Sequence, residues 1–346
     1  MKNVRWLPVI FVLAAAMVLS YSPFNLTRAD DRIYRLKFQG VYPPVHMNVK
    51  QVVMPWIEDV KDKSGGRLVI EYFPPNAIVK DKESYKAVES GVVDILSYGQ
   101  GRNPGKFPLS DILELPFLFP NGETGSLVAW DLYEKYPEWR EEYKGTRVLW
   151  HWVSATAQIA TNNRPVKTLE DMSGLKIIGW SPTLQNLPKI LGANPVNIPP
   201  MDTYLALERG VADGVHASYA AMGPFKLTEA TKYVTEADTM VVPFYCVINR
   251  NSLKRLPEDL RGIILETTGR EMSRRSGQSL DDGAKAGLEA IKKMGLEHFV
   301  LPAEERRRWE EKAMPLRETW LQSMEGKGYE NIREIYKFVK EATEKY

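Results

Sequence analysis

The chain has 346 residues, 44% hydrophobic and 26% charged, an ordinary globular composition whose length suits two medium-sized domains better than one. Its formal charge is +2, yet residues 1–29 hold three basic residues and no acidic one, leaving 43 basic against 44 acidic residues, net −1, in the remainder. That balance excludes the electrostatic footprint of a nucleic-acid binder or of a protein held on an anionic membrane surface.

Lys2 and Arg5 precede an apolar run over 6–19, and Thr27-Arg28-Ala29 offers a cleavage site before Asp30-Asp31. The pattern predicts a secretory signal peptide over residues 1–29, with an apolar stretch short for a membrane span. The single cysteine, Cys246, lies deep in the chain, so it forms no intrachain disulfide and carries no N-terminal lipid. The mature protein is therefore expected to be periplasmic, soluble and not lipid-anchored, with Cys246 a buried structural thiol.

Residues 33–39 alternate as a first strand, and a loop with Tyr42-Pro43-Pro44 leads into an amphipathic helix over 46–63. A second strand over 67–73 is broken by Pro74-Pro75. A helix then stops at Gly91 before a strand ending at Tyr98, and an apolar turn follows at 115–119. Strands alternating with helices at this spacing predict an α/β domain. After Val148-Leu149-Trp150-His151-Trp152 the pattern begins again. Thr168-Leu169-Glu170-Asp171 reads as a capping box, 175–178 as a strand, 183–191 as a helix and 202–209 as another. Residues 240–249 are strongly β-like. From 257 to 295 there is no further proline, so one long helix is expected, or two with a bend near Gly277 or Gly283. Helices over 303–325 and 331–345 close the chain.

One sentence of the sequence is said twice. Tyr85-Lys-Ala-Val-Glu-Ser-Gly-Val-Val-Asp94 returns as Tyr204-Leu-Ala-Leu-Glu-Arg-Gly-Val-Ala-Asp213. Both copies read as the end of a helix stopped by glycine and followed by a strand. Two such units far apart predict two related lobes with a binding site between them.

The chemistry of turnover is missing. His46, His151, His216 and His298 have no metal-ligand spacing, and there is no cysteine pair, G-x-G-x-x-G, P-loop or G-x-S-x-G. No metal, cofactor or catalytic residue is expected.

Three stretches are similar to a known family. Asp111-Ile-Leu-Glu-Leu-Pro-Phe-Leu-Phe119 resembles the LPFLF turn of the solute-binding proteins of TRAP (tripartite ATP-independent periplasmic) transporters, the DctP type. The segment 165–177 resembles their P-x-x-T-x-E-D-x-x-G-L-K-I signature, and 191–214 their GANP…YxALxxGxxDG block. The resemblance implies a two-lobe periplasmic binding protein, α/β and type II-like, with crossing strands and a long bracing helix. It assigns 30–154 plus about 241–285 to lobe I, and about 155–240 plus 286–346 to lobe II. It also implies closure about the crossing segments 153–159 and 240–249, one small organic solute, and delivery to TRAP membrane permease subunits by a monomer.

Departures from the family pattern bear on the ligand. The arginine that usually follows G-L-K-I is Ile178 here, a second arginine of some sugar-acid binders aligns with Gln158, and D-G-x-E-N ends as His216-Ala217. Tyr42, Tyr98, Trp152, Trp180, Tyr219 and Phe244 are expected around the same cleft. Aromatic walls with few charges favour a planar, apolar or neutral ligand oriented by Gln158, His216 and tyrosine hydroxyls. Two other classes stay open: a sensory binding protein that presents its ligand to a receptor kinase, and a secreted enzyme on the same scaffold.

Overall fold

The computed structural model describes residues 32–346; the expected signal peptide over 1–29 lies outside the described residues. In chain order the strands are β1 (Tyr34–Gln39), β2 (Leu68–Phe73), β3 (Ile95–Gly99), β4 (Thr146–Val153), β5 (Ala157–Thr161), β6 (Lys176–Ile178), β7 (Asn194–Val196), β8 (Gly214–Ser218), β9 (Tyr233–Glu236), β10 (Pro243–Asn249) and β11 (Glu297–Val300). The helices are α1 (Met54–Lys63), α2 (Ser84–Ser90), α3 (Gly122–Lys135), α4 (Pro137–Glu141), α5 (Pro182–Ile190), α6 (Thr203–Glu208), α7 (Tyr219–Met222), α8 (Leu227–Ala230), α9 (Arg250–Lys254), α10 (Glu258–Glu266), α11 (Arg270–Lys293), α12 (Ala303–Gly326) and α13 (Ile332–Lys345). A π-helical turn over Val49–Val53 leads into α1, where Pro55 has no N–H to give.

Two sheets result, ordered β2-β1-β3-β10-β4 and β11-β9-β5-β8-β6-β7. The first is parallel across β2, β1 and β3, with β10 antiparallel to both β3 and β4. In the second, β5 runs antiparallel to β8 and β9, while β6 is parallel to β7 and β8. Each sheet is the centre of one lobe.

The repeated sequence builds the same joint in both lobes. Gly91 (φ 80°) and Gly210 (φ 67°) take the left-handed position after α2 and α6. Val92 N and Val211 N each donate at 2.9 Å to the alanine five residues back, Ala87 and Ala206. Each aspartate then exchanges two hydrogen bonds with one residue of the neighbouring parallel strand. Asp94 N donates to Lys37 O (3.1 Å) while its carboxylate accepts from Lys37 N (2.8 Å). Asp213 and Lys176 do the same, both at 2.8 Å.

Irregular chain passes between the lobes at 154–156 and 237–242. The two segments bond to each other: Ser154 N to Val242 O, Val242 N to Ser154 Oγ, Ala157 N to Met240 O and Thr239 N to Ala157 O, all 2.8–3.0 Å.

The long helix is interrupted earlier than the sequence suggested. The break falls at 267–269, where Gly269 (φ 93°) separates α10 from α11, and α11 runs unbent through Gly277 and Gly283. Those glycines are packing residues. A β-carbon on Gly277 would stand 2.3 Å from Gly122 O in lobe I, and one on Gly287 2.1 Å from Tyr219 O in lobe II. Between them Gly283 meets both Met47 Sδ and Ala220 Cβ. The helix therefore braces both lobes, through close backbone approach.

Residues 286–346, assigned to lobe II from the sequence, divide between lobes. Trp309 and Ala313 of α12 are buried in the lobe II core, whereas Leu321 and Met324, one end later, are buried with α3 in lobe I. Ile332, Ile335 and Val339 of α13, an i, i+3, i+7 stripe, join that lobe I core. A helix of 24 residues is about 36 Å long, enough to reach from one core to the other. The 168–171 segment makes the reach-back half of the expected capping box, Thr168 N donating to the Asp171 carboxylate (2.8 Å), but on a single 3-10 turn, Glu170–Met172, instead of an α-helix. The same carboxylate accepts from Lys167 N.

Gly277→Ala should lower unfolding stability by about 1–3 kcal/mol through overpacking, despite alanine's better helix propensity. Gly262→Ala in α10, whose new methyl would meet nothing closer than 3.9 Å, should be neutral or stabilise by up to about 1 kcal/mol. Urea unfolding of the two variants checks the pair.

Candidate functional site

Strand parity decides which predicted residues share a surface. In the first sheet Phe244 pairs with both Gly99 and Trp152, while Tyr245 pairs with Tyr98 and His151. Side chains alternate along a strand, so Phe244 and Trp152 share one face and Tyr98 points to the other. Tyr98 is buried in the α3 core beside Tyr85, Phe107 and Tyr245. It is a core tyrosine here, not part of the wall expected from the sequence.

Phe244 lies parallel to Trp152 (5.3 Å, 11°), and Tyr42 tilts against Phe244 at 5.8 Å. Tyr42 also stacks on His46 (3.8 Å, 4°), whose Nδ1 accepts from Asn48 N at the start of the first helix. The result is an aromatic wall of His46, Tyr42, Phe244 and Trp152. Trp152 is 1% exposed and its indole N–H makes no hydrogen bond of acceptable geometry. Burial raises the Tyr42 phenol above its ordinary range, with Trp152 nearby easing it. Burial holds His46 neutral, its pKa lowered to about 4.

In the second sheet Gln158 pairs with Ala217, and Ile178 with Val215. Gln158, Ile178 and Ala217 therefore share one face, and His216 lies on the other. Of the positions at which the sequence departs from the solute-binding pattern, His216 stands apart, and Gln158, Ile178 and Ala217 are gathered on one surface. Ile178, Ala217, Tyr219 and Met222 form its buried apolar part, with Trp180 and Phe225 packed on them. The Trp180 indole donates to Thr203 Oγ1 (3.0 Å) and its ring meets Phe225 at 5.0 Å. Gln158 is fully engaged. Its Oε1 accepts from Ala237 N and Asp238 N, and its Nε2 donates to Asp238 Oδ1 (2.7 Å). Tyr219 turns its hydroxyl toward Glu236 and His298 (3.0 and 2.8 Å), at the β9–β11 edge.

His216 is a strut on the α5 side. Its Nδ1 meets Leu184 O (3.0 Å) and its Nε2 meets Thr239 Oγ1 (2.6 Å). Leu184 O can only accept, so Nδ1 carries the proton and donates to it, while the Thr239 hydroxyl, which also lies 2.9 Å from Ala157 O, faces Nε2. That tautomer is neutral, and burial lowers the His216 pKa to about 4.

The two surfaces come together at Gly283, where Met47, one residue after His46, meets Ala220, one residue after Tyr219. A surface groove of about 450 Å³ lined by Phe117, Met314, Arg317 and Tyr336 shares no residue with either wall. Sequence reasoning missed Phe225 and Met47, which carry no motif. It also passed over Glu114, whose charge inside the apolar run 112–119 was a visible signal.

The bacterial extracellular solute-binding protein family 7, DctP, matches residues 38–323. The C4-dicarboxylate-binding periplasmic protein DctP of Rhodobacter capsulatus is 28% identical over 75% of this chain and 78% of its own. A TRAP solute-binding protein from Rhodoferax ferrireducens, solved with copurified benzoate, superposes with a TM-score of 0.84 at 27% identity, over 90% of this chain and 98% of its own. Another, from Bordetella bronchiseptica with bound mandelate, gives 0.82 at 26% identity, over 90% and 99%. The chain belongs to solute-binding family 7 and has its two-lobe α/β fold. Among the described residues no helix is long and apolar enough to cross a membrane. The sensory alternative gains no support from these relatives.

The His216 strut generates a pH prediction. Its folded-state pKa lies below the ordinary 6.5, so between about pH 6.5 and 4 the unfolded chain binds more protons and the strut's contribution is lost as pH falls. The destabilisation caused by His216→Asn should shrink by about 1 kcal/mol for each unit of pH lowered through that window. Urea titrations of both proteins at pH 7, 6 and 5 measure it; a constant difference would contradict the neutral strut.

Proposed function

We propose that this family member captures a small aromatic, largely apolar organic acid between its lobes and delivers it in the periplasm to a TRAP-type membrane permease. The observation that carries this reading is the shared face of Gln158, Ile178 and Ala217. Where relatives of the sequence pattern hold arginine and asparagine, this surface offers two apolar side chains and one amide already committed to Ala237 and Asp238. Small dicarboxylates bound there leave charge unpaired, which costs more than so small a ligand returns. A planar ring gains from burial against Trp180 on one side and Phe244 and Trp152 on the other, with about 0.5–1.5 kcal/mol more for good ring geometry. Relatives that hold benzoate and mandelate support the same class. Closure occurs about 154–155 and 241–242, in a monomer, and the activity is binding rather than turnover.

A thermal-shift screen of benzoate, mandelate, benzyl alcohol and succinate tests the assignment, because a ligand stabilises the fold in proportion to the logarithm of its excess over Kd. Aromatic acids should raise the melting temperature and succinate should not. Stabilisation by succinate with no response to any aromatic overturns the ligand class and leaves the family unchanged.

Ile178→Arg should weaken binding of the best aromatic ligand by about 3–5 kcal/mol, since it buries a guanidinium without a partner. Calorimetric titration reads the change. Unchanged affinity would remove position 178 from the ligand surface.

A further inference from the structure

Glu114 is the one carboxylate among the described residues with both oxygens buried and neither hydrogen-bonded. It ends the 3-10 turn Ser110–Glu114 of lobe I and is 1% exposed. Glu142, close by, is buried as well, but Leu109 N, Ser110 N and the Ser110 hydroxyl satisfy it. A buried carboxylate left without donors is costly as an anion and much less so when protonated.

The surroundings of Glu114 belong to both lobes. A β-carbon on Gly101, in the turn after β3, would stand 3.7 Å from Glu114 Oε1 and 3.5 Å from Ser181 Cβ. Ser181 is the N-cap of α5, in lobe II, accepting from Leu184 N. Thr183, the second residue of that helix, is the one side-chain partner that eases the Glu114 carboxyl, through a contact too poorly aligned for a full hydrogen bond. Lobe II thus closes over Glu114 at the lip formed by Gly101 and Ser181. In this arrangement Thr183 alone stands where water would otherwise solvate the carboxylate. Burial raises the carboxyl to about 7, against Thr183, which lowers it, and with Asp111, which adds to the rise.

We propose that Glu114 is a proton-operated latch, taking up a proton when the lobes shut at the Gly101–Ser181 lip and opposing closure when ionised. The inference rests on the two-lobe closure described above, though not on the identity of the ligand. The charged group that acts on Glu114 is Asp111, on lobe I, with Lys327 acting on Asp111 in turn and Glu142 and Tyr143 bonded at the start of the same turn. Burial raises Asp111 to about 6 and Glu142 to about 8. The hydrogen bonds of Glu142 lie within lobe I, so the lip does not break them. From lobe II only the uncharged Ser181 and Thr183 face Glu114 across the lip. The sign follows from linkage. An acid whose pKa rises on closure favours the closed form at low pH. That advantage is lost as pH climbs from about 4.5 to about 7 and is gone above about 8.

The lip provides its own readout. Positions 101 and 181 have β-carbons at disulfide spacing when shut, so Gly101→Cys with Ser181→Cys cross-links only closed molecules. Cross-linking in a fixed redox buffer is compared between pH 5 and pH 8, with and without Glu114→Gln; thiol chemistry is common to both backgrounds and cancels in their ratio. Relative to Glu114→Gln, cross-linking with Glu114 present should fall about tenfold or more over that range. Equal pH dependence in the two backgrounds overturns the latch. If Glu114→Gln does not fold, carbon-13 detection of the Glu114 carboxyl decides without it: the group should titrate near 7 in the cross-linked protein and in the ordinary carboxylate range after reduction, and one pKa in both states is again fatal. Benzoate added at fixed pH reports separately on the ligand class, since its failure to increase cross-linking leaves the pH comparison intact.

Discussion

The hydrogen bonds between the two crossing segments constrain everything else. Met240, Thr239 and Ala157 bond to one another at the lobe II end, and Ser154 and Val242 at the lobe I end. The lobe II end is tied many times over. Gln158 holds the main chain at Ala237 and Asp238, His216 holds Thr239, Phe117 N of the lobe I turn donates to Thr239 O, and Arg306 donates to Ala237 O. Asp238 is kept at φ 44°, the left-handed region that costs a non-glycine residue about 1 kcal/mol or more, by the same Gln158 and by Thr156. A segment so determined does not bend. Rotation of one lobe on the other is left to 154–155 and 241–242, where one pair of reciprocal bonds crosses.

Gln158 takes a different meaning in that frame. At the position where the family resemblance implies an arginine in some sugar-acid binders, the Gln158 amide both accepts from two main-chain N–H groups and donates to a carboxylate. Arginine has no acceptor and could not hold Ala237 and Asp238. The loss of a ligand-facing charge and the gain of a hinge anchor are therefore one substitution. His216 repeats the logic from the opposite face of the same sheet, since its neutral ring donates on one side and accepts on the other.

Much of the fold was legible because its signals are local. The Y-x-A-x-E-x-G-V-x-D repeat announced two equivalent helix-to-strand joints, and Asp94 and Asp213 make the same paired bonds with Lys37 and Lys176. The β-like run over 240–249 became β10 from Pro243 onward, wholly within the first sheet, and the crossing itself is made by irregular chain at 154–156 and 237–242. Allocation of the C-terminus was not legible, because the stripe on α13 states that a face is apolar and not which core receives it. The break at Gly269 was missed for a related reason. Glycine in a helical pattern marks a bend or a close backbone approach, and only the partner surfaces, Gly122 and Tyr219, distinguish these at 277 and 287. The candidate site was half legible. A roll of aromatic residues cannot say which side of a strand each takes, and strand pairing sets Tyr98 opposite Trp152 and Phe244, and His216 opposite Gln158 and Ile178.

The charge economy of the cleft joins its two unusual features. One lobe offers Ile178 and Ala217 in place of charged partners, and the other closes a bare carboxylate, Glu114, behind Gly101. Like charges about 10 Å apart repel by roughly 2 kcal/mol at an effective dielectric near 20, so each negative charge brought in by a ligand raises the cost of keeping Glu114 ionised. A monoanion with one ring meets that cost once, and a proton on Glu114 removes it. A dianion meets it twice, and only one proton-accepting group stands at the lip to relieve it. The missing arginine and the unpaired glutamate thus discriminate in the same direction, toward a solute that carries little charge and much flat apolar surface.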